Sequence, residues 1–172
     1  MNEIMKLRPY DPSHDFEIIR SWITEPREHA MWCAGRTAFP IDREDFQRLL
    51  DEIANQSGDV PFIATLEDCK PVGFFCYSVD AGTKDSRLKF VMIDPAQRGK
   101  GFGREMLRLA VSYAFETMGA ERVRHCVFSA NTSARRCYES VGFRECGTDK
   151  AALHFGDEVW DRCHMTIEKG GI

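Results

Sequence analysis

The stretch richest in chemistry runs from Phe90 to Arg104, where the apolar run Val91-Met92-Ile93 leads through Asp94-Pro95 into Arg98-Gly99-Lys100-Gly101-Phe102-Gly103-Arg104. Glycines crowded at the start of a long amphipathic segment expose main-chain N–H groups, and the positive end of a helix dipole favours an anion there. Arg98, Lys100 and Arg104 add cationic side chains. A phosphate or pyrophosphate is the expected ligand, each N–H bond to a charged oxygen being worth about 1.5–3 kcal/mol. A glycine-rich turn that merely caps a helix is the competing reading. Neither standard nucleotide loop fits. The G-x-x-x-x-G-K-[ST] pattern is absent, and Gly99-Lys100-Gly101-Phe102-Gly103-Arg104 lacks the last glycine of the dinucleotide fingerprint.

A second cluster lies in Asn131-Thr132-Ser133-Ala134-Arg135-Arg136-Cys137-Tyr138-Glu139-Ser140-Val141-Gly142-Phe143. Asn131 suits a helix N-cap, and Ala134 and Tyr138, four apart, share one helical face. A small residue beside a tyrosine leaves room for a thin chain with a phenol at its end; packing of an amphipathic tyrosine in the core is the plainer alternative. Cys137 is next to Tyr138, but consecutive helical residues diverge by about 100°, so Cys137 should face away and pack.

These residues need elements to hold them. Lys6 to Tyr10 reads as a first strand, and Phe16, Ile18, Ile19, Trp22 and Ile23 follow a helical spacing. Thr24 to Pro40 has no clean period and reads as a loop or broken helix. Asp42 is a candidate N-cap for a helix with the apolar stripe Phe46, Leu49, Leu50 and Ile53. Strands are expected at Pro61–Leu66, Val72–Val79 and Leu88–Ile93, separated by turns at Glu67–Pro71 and Asp80–Asp85. Met106, Leu107, Ala110, Val111, Ala114, Phe115 and Met118 define a strongly amphipathic helix from Gly101 to Met118, stopped by Gly119. Strand Val123–Ser129, helix Thr132–Val141, strand Phe143–Thr148 and strand Glu158–Glu168 complete an α+β order with no repeat or linker.

Composition narrows the class. A chain of 172 residues predicts one domain, residues 1–172, large enough to bury a core without staples. With 43% hydrophobic and 29% charged residues it reads as globular rather than disordered. A net charge of −4 argues against a general nucleic-acid binder. No apolar run is long enough to span a membrane, and Met1 to Tyr10 lacks the apolar core of a secretory signal. The seven cysteines form no C-x-x-C pair and show no zinc-ligand spacing, so no metal is expected. They read as reduced, mostly buried thiols of a cytoplasmic protein. His125-Cys126 and Cys163-His164 are adjacent pairs whose members point to opposite faces if they lie on strands.

Taken together, Val91-x-Ile93-x-Pro95, Arg98-x-x-Gly101-x-Gly103 and Asn131-x-x-Ala134-x-x-x-Tyr138-x-x-x-Gly142-Phe143 resemble the GNAT superfamily of N-acetyltransferases. The resemblance implies a single-domain fold with a central mixed, mostly antiparallel sheet splayed into a V, flanked by helices, with acetyl-CoA in the V as co-substrate. It implies that Val91 and Ile93 offer backbone groups to the pantetheine and acetyl carbonyl. It places Arg98, Gly99, Gly101, Gly103 and Arg104 around the pyrophosphate, and Asn131 and Ala134 against the pantetheine arm. Tyr138 becomes the acid for the departing thiolate. A primary amine, either a small molecule or a protein N-terminus, is the implied acceptor, and a homodimer is an open possibility. A non-catalytic acyl-CoA-binding regulatory module is the alternative; it would have no chemical need for the tyrosine.

Two parts of the reaction are less defined. Many relatives of this type carry a glutamate at the start of the strand before the pyrophosphate loop, where this chain has Arg87-Leu88-Lys89. Glu25, Glu28 and His29, or a water chain, are the remaining candidates for a base, and each also reads as a solvated surface residue. The first 60 residues hold 7 Lys or Arg against 12 Asp or Glu. An acidic acceptor side would favour a cationic amine such as a polyamine, aminoglycoside or protein N-terminus, whereas solvated helix faces would explain the same charges. Trp22, Trp32, Phe39 and Trp160 are candidate aromatic walls. Leu7-Arg8-Pro9 and His154–Asp161 are similar to ribosomal-protein N-terminal and spermidine acetyltransferases.

Overall fold

A computed structural model describes residues 4–171. Its centre is one seven-stranded sheet in the order β1-β2-β3-β4-β5-β7-β6. The strands are β1 (Lys6–Pro9), β2 (Val60–Thr65), β3 (Pro71–Val79), β4 (Asp85–Ile93), β5 (Arg122–Phe128), β6 (Arg144–Phe155) and β7 (Glu158–Glu168). Every neighbouring pair is antiparallel except β4 and β5. That parallel pair is joined only from Asp85↔Arg122 to Arg87↔Arg124, after which the two strands part. The expected mixed, splayed sheet is present, and its open angle lies between β4 and β5.

Helices α1 (Pro12–Trp22), α2 (Pro26–Cys33), α3 (Arg43–Ser57), α4 (Phe102–Glu116) and α5 (Thr132–Val141) fill in around it. Asp11, Asp42 and Asn131 cap α1, α3 and α5 by accepting main-chain N–H bonds, as Ser/Thr/Asp/Asn caps do. Helix α2 corrects the reading of Thr24–Pro40 as a loop or broken helix. Pro26 at its first position pre-sets the backbone, but at eight residues it is too short for a clean apolar period.

Two cores result. Helix α4 buries Met106, Leu107, Ala110, Val111, Ala114 and Phe115 against one face of the sheet, together with Tyr138 and Phe143. Gly73 lets it approach, since a Cβ there would overlap Met106 Sδ. Met118, expected on this stripe, is 46% exposed because the helix ends at Glu116. On the other face α1 and α3 pack Phe16, Ile19, Phe46, Leu49 and Ile53 against Ile63, Phe74, Cys76 and Met92. The β1–β4 half is thus covered on both faces. The β5–β7–β6 half is less evenly covered, its second face being met by the short helix α2 through Ala30, Phe128 and Trp160.

Strand β6 runs to Phe155 rather than stopping at Thr148. Its register shifts between Asp149 and Leu153, around the left-handed Ala151, and the break hides the continuing alternation. The cysteines also differ from expectation. All are free, but only Cys33, Cys76 and Cys163 are buried; Cys137 is half-buried, and Cys69, Cys126 and Cys146 are exposed.

Candidate active site

Where β4 and β5 part, a cavity of about 1060 Å³ opens, bounded by α2, the N-terminus of α4, α5 and β7. All the positions singled out from sequence line it: Val91, Ile93, Arg98, Gly99, Gly101, Gly103, Arg104, Asn131, Ala134 and Tyr138. Four chain segments meet there because the sheet itself is split.

The β4 wall is prepared by a bulge. Phe74 pairs with Met92 and Cys76 with Lys89, so two steps on β3 oppose three on β4, and Phe90 and Val91 have no cross-strand partner. Phe90 takes a left-handed φ of 53°, a costly conformation for a bulky residue. Its carbonyl accepts a 2.8 Å bond from the Trp32 indole, so α2 holds the bulge in place. Nearer the apex, the Leu88 carbonyl accepts from His125 Nδ1 at 2.9 Å. A side chain of β5 thereby replaces the lost ladder bond at the point where the strands part. From sequence His125 stands out only as the neighbour of Cys126; a histidine inside an apolar strand gives no local sign of such a role. Burial pushes its pKa down to about 4, so the ring is neutral and Nδ1 carries the proton.

The α4 end matches a phosphate site. Gly99 and Gly101 adopt φ of 78° and 86°, where a side chain would be strained although the space is open. Gly101 is the N-cap and supplies no side-chain bond. Glu105 N is the donor that reaches back to Gly101 O, leaving the N–H groups of Phe102, Gly103 and Arg104 ahead of the first helical bond. Gly103 answers a different need: a Cβ would sit 3.4 Å from Cys137 Sγ and 3.5 Å from Ile93 Cγ1, so glycine lets α4, α5 and β4 close together.

On α5, Asn131 Oδ1 is used as the cap, accepting from Ala134 N at 3.2 Å, which leaves its amide N–H groups for the cavity. Tyr138 is 4% exposed and packs against His125 at 4.5 Å and Phe143 at 5.7 Å between ring centroids. Burial raises its pKa well above the ordinary phenol value, so it keeps its proton. Cys137 does not face wholly away as expected. It borders the same cavity as Tyr138 while packing beside Gly103, and burial pushes its thiol up.

The opposite wall is made of side chains. Strand alternation sends His125 toward Tyr138 and Cys126 to the other face, as anticipated for that pair. Cys126 Sγ lies 3.2 Å from His164 Nδ1, and His164 Nε2 lies 2.8 Å from Asp149 Oδ2. With Asp149 accepting from Nε2, the lone pair is on Nδ1. Of the base candidates, only Glu28 borders the cavity, and Arg98 Nη1 holds it at 3.0 Å. His29 is buried against Thr37 Oγ1 at 2.8 Å, which explains it as a core histidine. Glu25 is exposed beside the N-terminus of α2, away from the cavity.

Of the two readings of the acidic first third, solvated helix faces rather than an acidic wall fit the structure. Glu28 is the one carboxylate residue lining the cavity among the described residues, amid several arginines and a lysine. Arg27, Arg36, Lys89, Arg98 and Arg124 are each paired, with Glu158, Glu52, Asp59, Glu28 and Asp85. Arg87, Arg104 and Arg162 have no acid partner among the described residues. The acids of the first third point elsewhere, for instance Asp15 to Arg8 at 2.7 Å and Asp45 to Arg48. Trp22 and Trp32 do line the cavity, whereas Trp160 stacks on Phe155 and Phe39 packs on His29.

No helix of the described residues is long and apolar enough to cross a membrane. Among solved structures, the spermidine N-acetyltransferase from Vibrio cholerae in complex with CoA and spermine superimposes with a TM-score of 0.80 at 18% identity, covering 97% of this chain and 96% of that one. A chimera of the Vibrio cholerae enzyme and hSSAT gives a TM-score of 0.78 at 19% identity, with 95% of each chain covered. At such identities the likeness concerns the fold. A streptothricin acetyltransferase from Streptomyces lavendulae is 33% identical over 90 residues, 52% of this chain, and the chain spans 47% of that relative's length. The acetyltransferase (GNAT) family model matches residues 14–143, which hold strands β2 to β5, most of α1, helices α2 to α5 and every cavity position singled out from sequence, and the chain belongs to that family.

Proposed function

We propose that this chain transfers an acetyl group from acetyl-CoA to a primary amine by direct attack, with Tyr138 as the acid. The observation that carries this reading is the meeting, across one cavity, of an uncapped glycine-rich helix start and a buried, protonated phenol. The N–H groups of Gly99 to Arg104, with Arg98 and Arg104, suit the pyrophosphate. The open edge of β4 at Val91 and Ile93, with Asn131 and Ala134 opposite, suits the pantetheine arm and the acetyl carbonyl.

In the reaction a neutral amine attacks the thioester carbon, the C–N bond forms, and main-chain donors at the bulge stabilise the oxyanion. The C–S bond then breaks, Tyr138 protonates the thiolate, and the proton shed by the new amide nitrogen returns through water to the phenolate. Holding both substrates in one cavity supplies the effective concentration, so no covalent intermediate is needed. His164, oriented by Asp149 on the face opposite Tyr138, is the group we assign to accept the ammonium proton, in place of the acid absent at Arg87-Leu88-Lys89.

The test is release of free CoA from acetyl-CoA across a broad panel of primary amines, with binding of acetyl-CoA followed in parallel. Turnover with at least one amine is expected. Tight binding with no turnover across the panel would instead identify an acyl-CoA-binding module.

A further inference from the structure

The substrate class of the acceptor arm follows from its charge, on the proposed reading that an amine enters from the side opposite Tyr138. The half-covered β5–β7–β6 face presents Arg124 and Cys126 from β5 and, across the ladder, Arg162 and His164 from β7. Cross-strand partners share a face, and Cys126 pairs with His164 while Phe128 pairs with Arg162. Arg87 joins them from β4 at the last paired position before the strands part, opposite Arg124.

These cations are not equivalent. Arg124 is neutralised by Asp85 at 3.1 Å. Arg87 and Arg162 line the cavity with no carboxylate partner among the described residues. Arg162 does lie with its guanidinium carbon 5.6 Å from the Phe128 ring centre, which orients the group without cancelling its charge. Both arginines are near enough to Cys126 to favour its thiolate, against the burial that raises its pKa. The carboxylates beside this face are already engaged, Asp85 by Arg124 and Asp149 by His164.

They are also separate from the coenzyme's phosphate end. That end is formed by the loop after β4 and the start of α4, whereas Arg87 is near the start of β4, on the apex side of the bulge. Unpaired guanidiniums facing a shared cavity repel one another and any cationic ligand, and they form charge-assisted bonds with a carboxylate or phosphate.

We propose that Arg87 and Arg162 form an anion subsite, and that the acceptor is a primary amine carrying a carboxylate or phosphate group rather than a polyamine. The amine is held between this subsite and the reacting carbonyl, so the anion sets its position. The polyamine named for the structural neighbours from Vibrio cholerae carries the opposite charge and is disfavoured here by the same field.

The experiment compares matched pairs at saturating acetyl-CoA: ω-amino carboxylates against their carboxamides, and phosphoethanolamine against ethanolamine, with spermidine as the cationic probe. Within at least one pair the anionic member should exceed its neutral partner about tenfold or more in kcat/KM, mainly through KM. Spermidine should be the poorest. Arg162→Gln and Arg87→Gln should each bring that ratio toward one, and added salt should erode it. A tenfold preference for spermidine or for the neutral partners, or an unchanged ratio in both variants, overturns the proposal. Calorimetric binding of the same pairs to the CoA-loaded protein separates the two readings. An anion preference in binding without turnover supports the subsite while the transferase reading fails. No preference in binding overturns the subsite whatever the turnover.

Discussion

The two walls of the cavity are built by different means. The wall we assign to the coenzyme is main chain: a bulged strand edge, three glycines and an uncapped helix start, all within Phe90–Arg104, completed by one helix carrying Asn131, Ala134 and Tyr138. The wall we assign to the acceptor is side chains drawn from α2, β4, β5 and β7, and no short stretch contains it. Backbone groups bind a part common to every substrate pair, and dispersed side chains can be exchanged without disturbing that platform. Arg98–Glu28 at 3.0 Å links the two walls directly.

The largest expected effect tests the chemistry on the coenzyme side. Tyr138→Phe keeps the ring's contacts with His125 and Phe143 and removes the acid, so turnover should fall about 100-fold while acetyl-CoA affinity stays near wild type. Stopped-assay CoA release with calorimetric binding reads both, and unchanged turnover removes Tyr138 from the mechanism.

Next comes the hinge between the walls. The His125 pKa falls from 6.5 to about 4 on folding, so the unfolded chain binds the extra proton first. Stability is then complete above about pH 6.5 and decreases as pH drops toward 4, by an amount on the order of 3 kcal/mol. Denaturant unfolding across that window should show the loss, and His125→Asn, which retains a donor for the Leu88 carbonyl, should flatten the slope. A wild-type curve flat from pH 6.5 to 4 would contradict the buried neutral ring.

On the acceptor side, His164→Gln should lower kcat/KM about tenfold or more for an amine that arrives as an ammonium. It should cost much less for a hydrazide, which arrives neutral. Equal losses on both would make His164 a packing residue.

The smallest effect concerns the link. Glu28→Gln breaks an exposed ion pair, so stability should move by less than about 0.5 kcal/mol. Released from Glu28, Arg98 should bind the coenzyme's pyrophosphate better and raise acetyl-CoA affinity a few-fold. Weaker acetyl-CoA binding would show that Glu28 positions Arg98 rather than competing for it.

Much of this was readable in the chain. Glycine at positive φ, Asx caps and the 3.6-residue stripe of α4 act over a few residues, so Asp42, Gly101, Asn131 and Gly142 mark their elements locally. Helix α2 escaped because its apolar residues serve different neighbours: His29 and Cys33 face α3's side, Trp32 reaches β4, and Ala30 meets β7. No single period describes them. The net acidity of the first third was equally real but left its two explanations undivided, since charge counts along a chain carry no direction.

The sequence by itself determined the backbone-built half of the cavity: local backbone preferences and contiguous motifs are sufficient to specify an uncapped, glycine-rich helix start and a phenol one helix away. Only the tertiary structure decided the half built of side chains. Arg87, Cys126, Asp149, Arg162 and His164 are brought together by strand order and register, which depend on pairings between distant segments. The parting of β4 from β5 turns that shared face into the wall of a site.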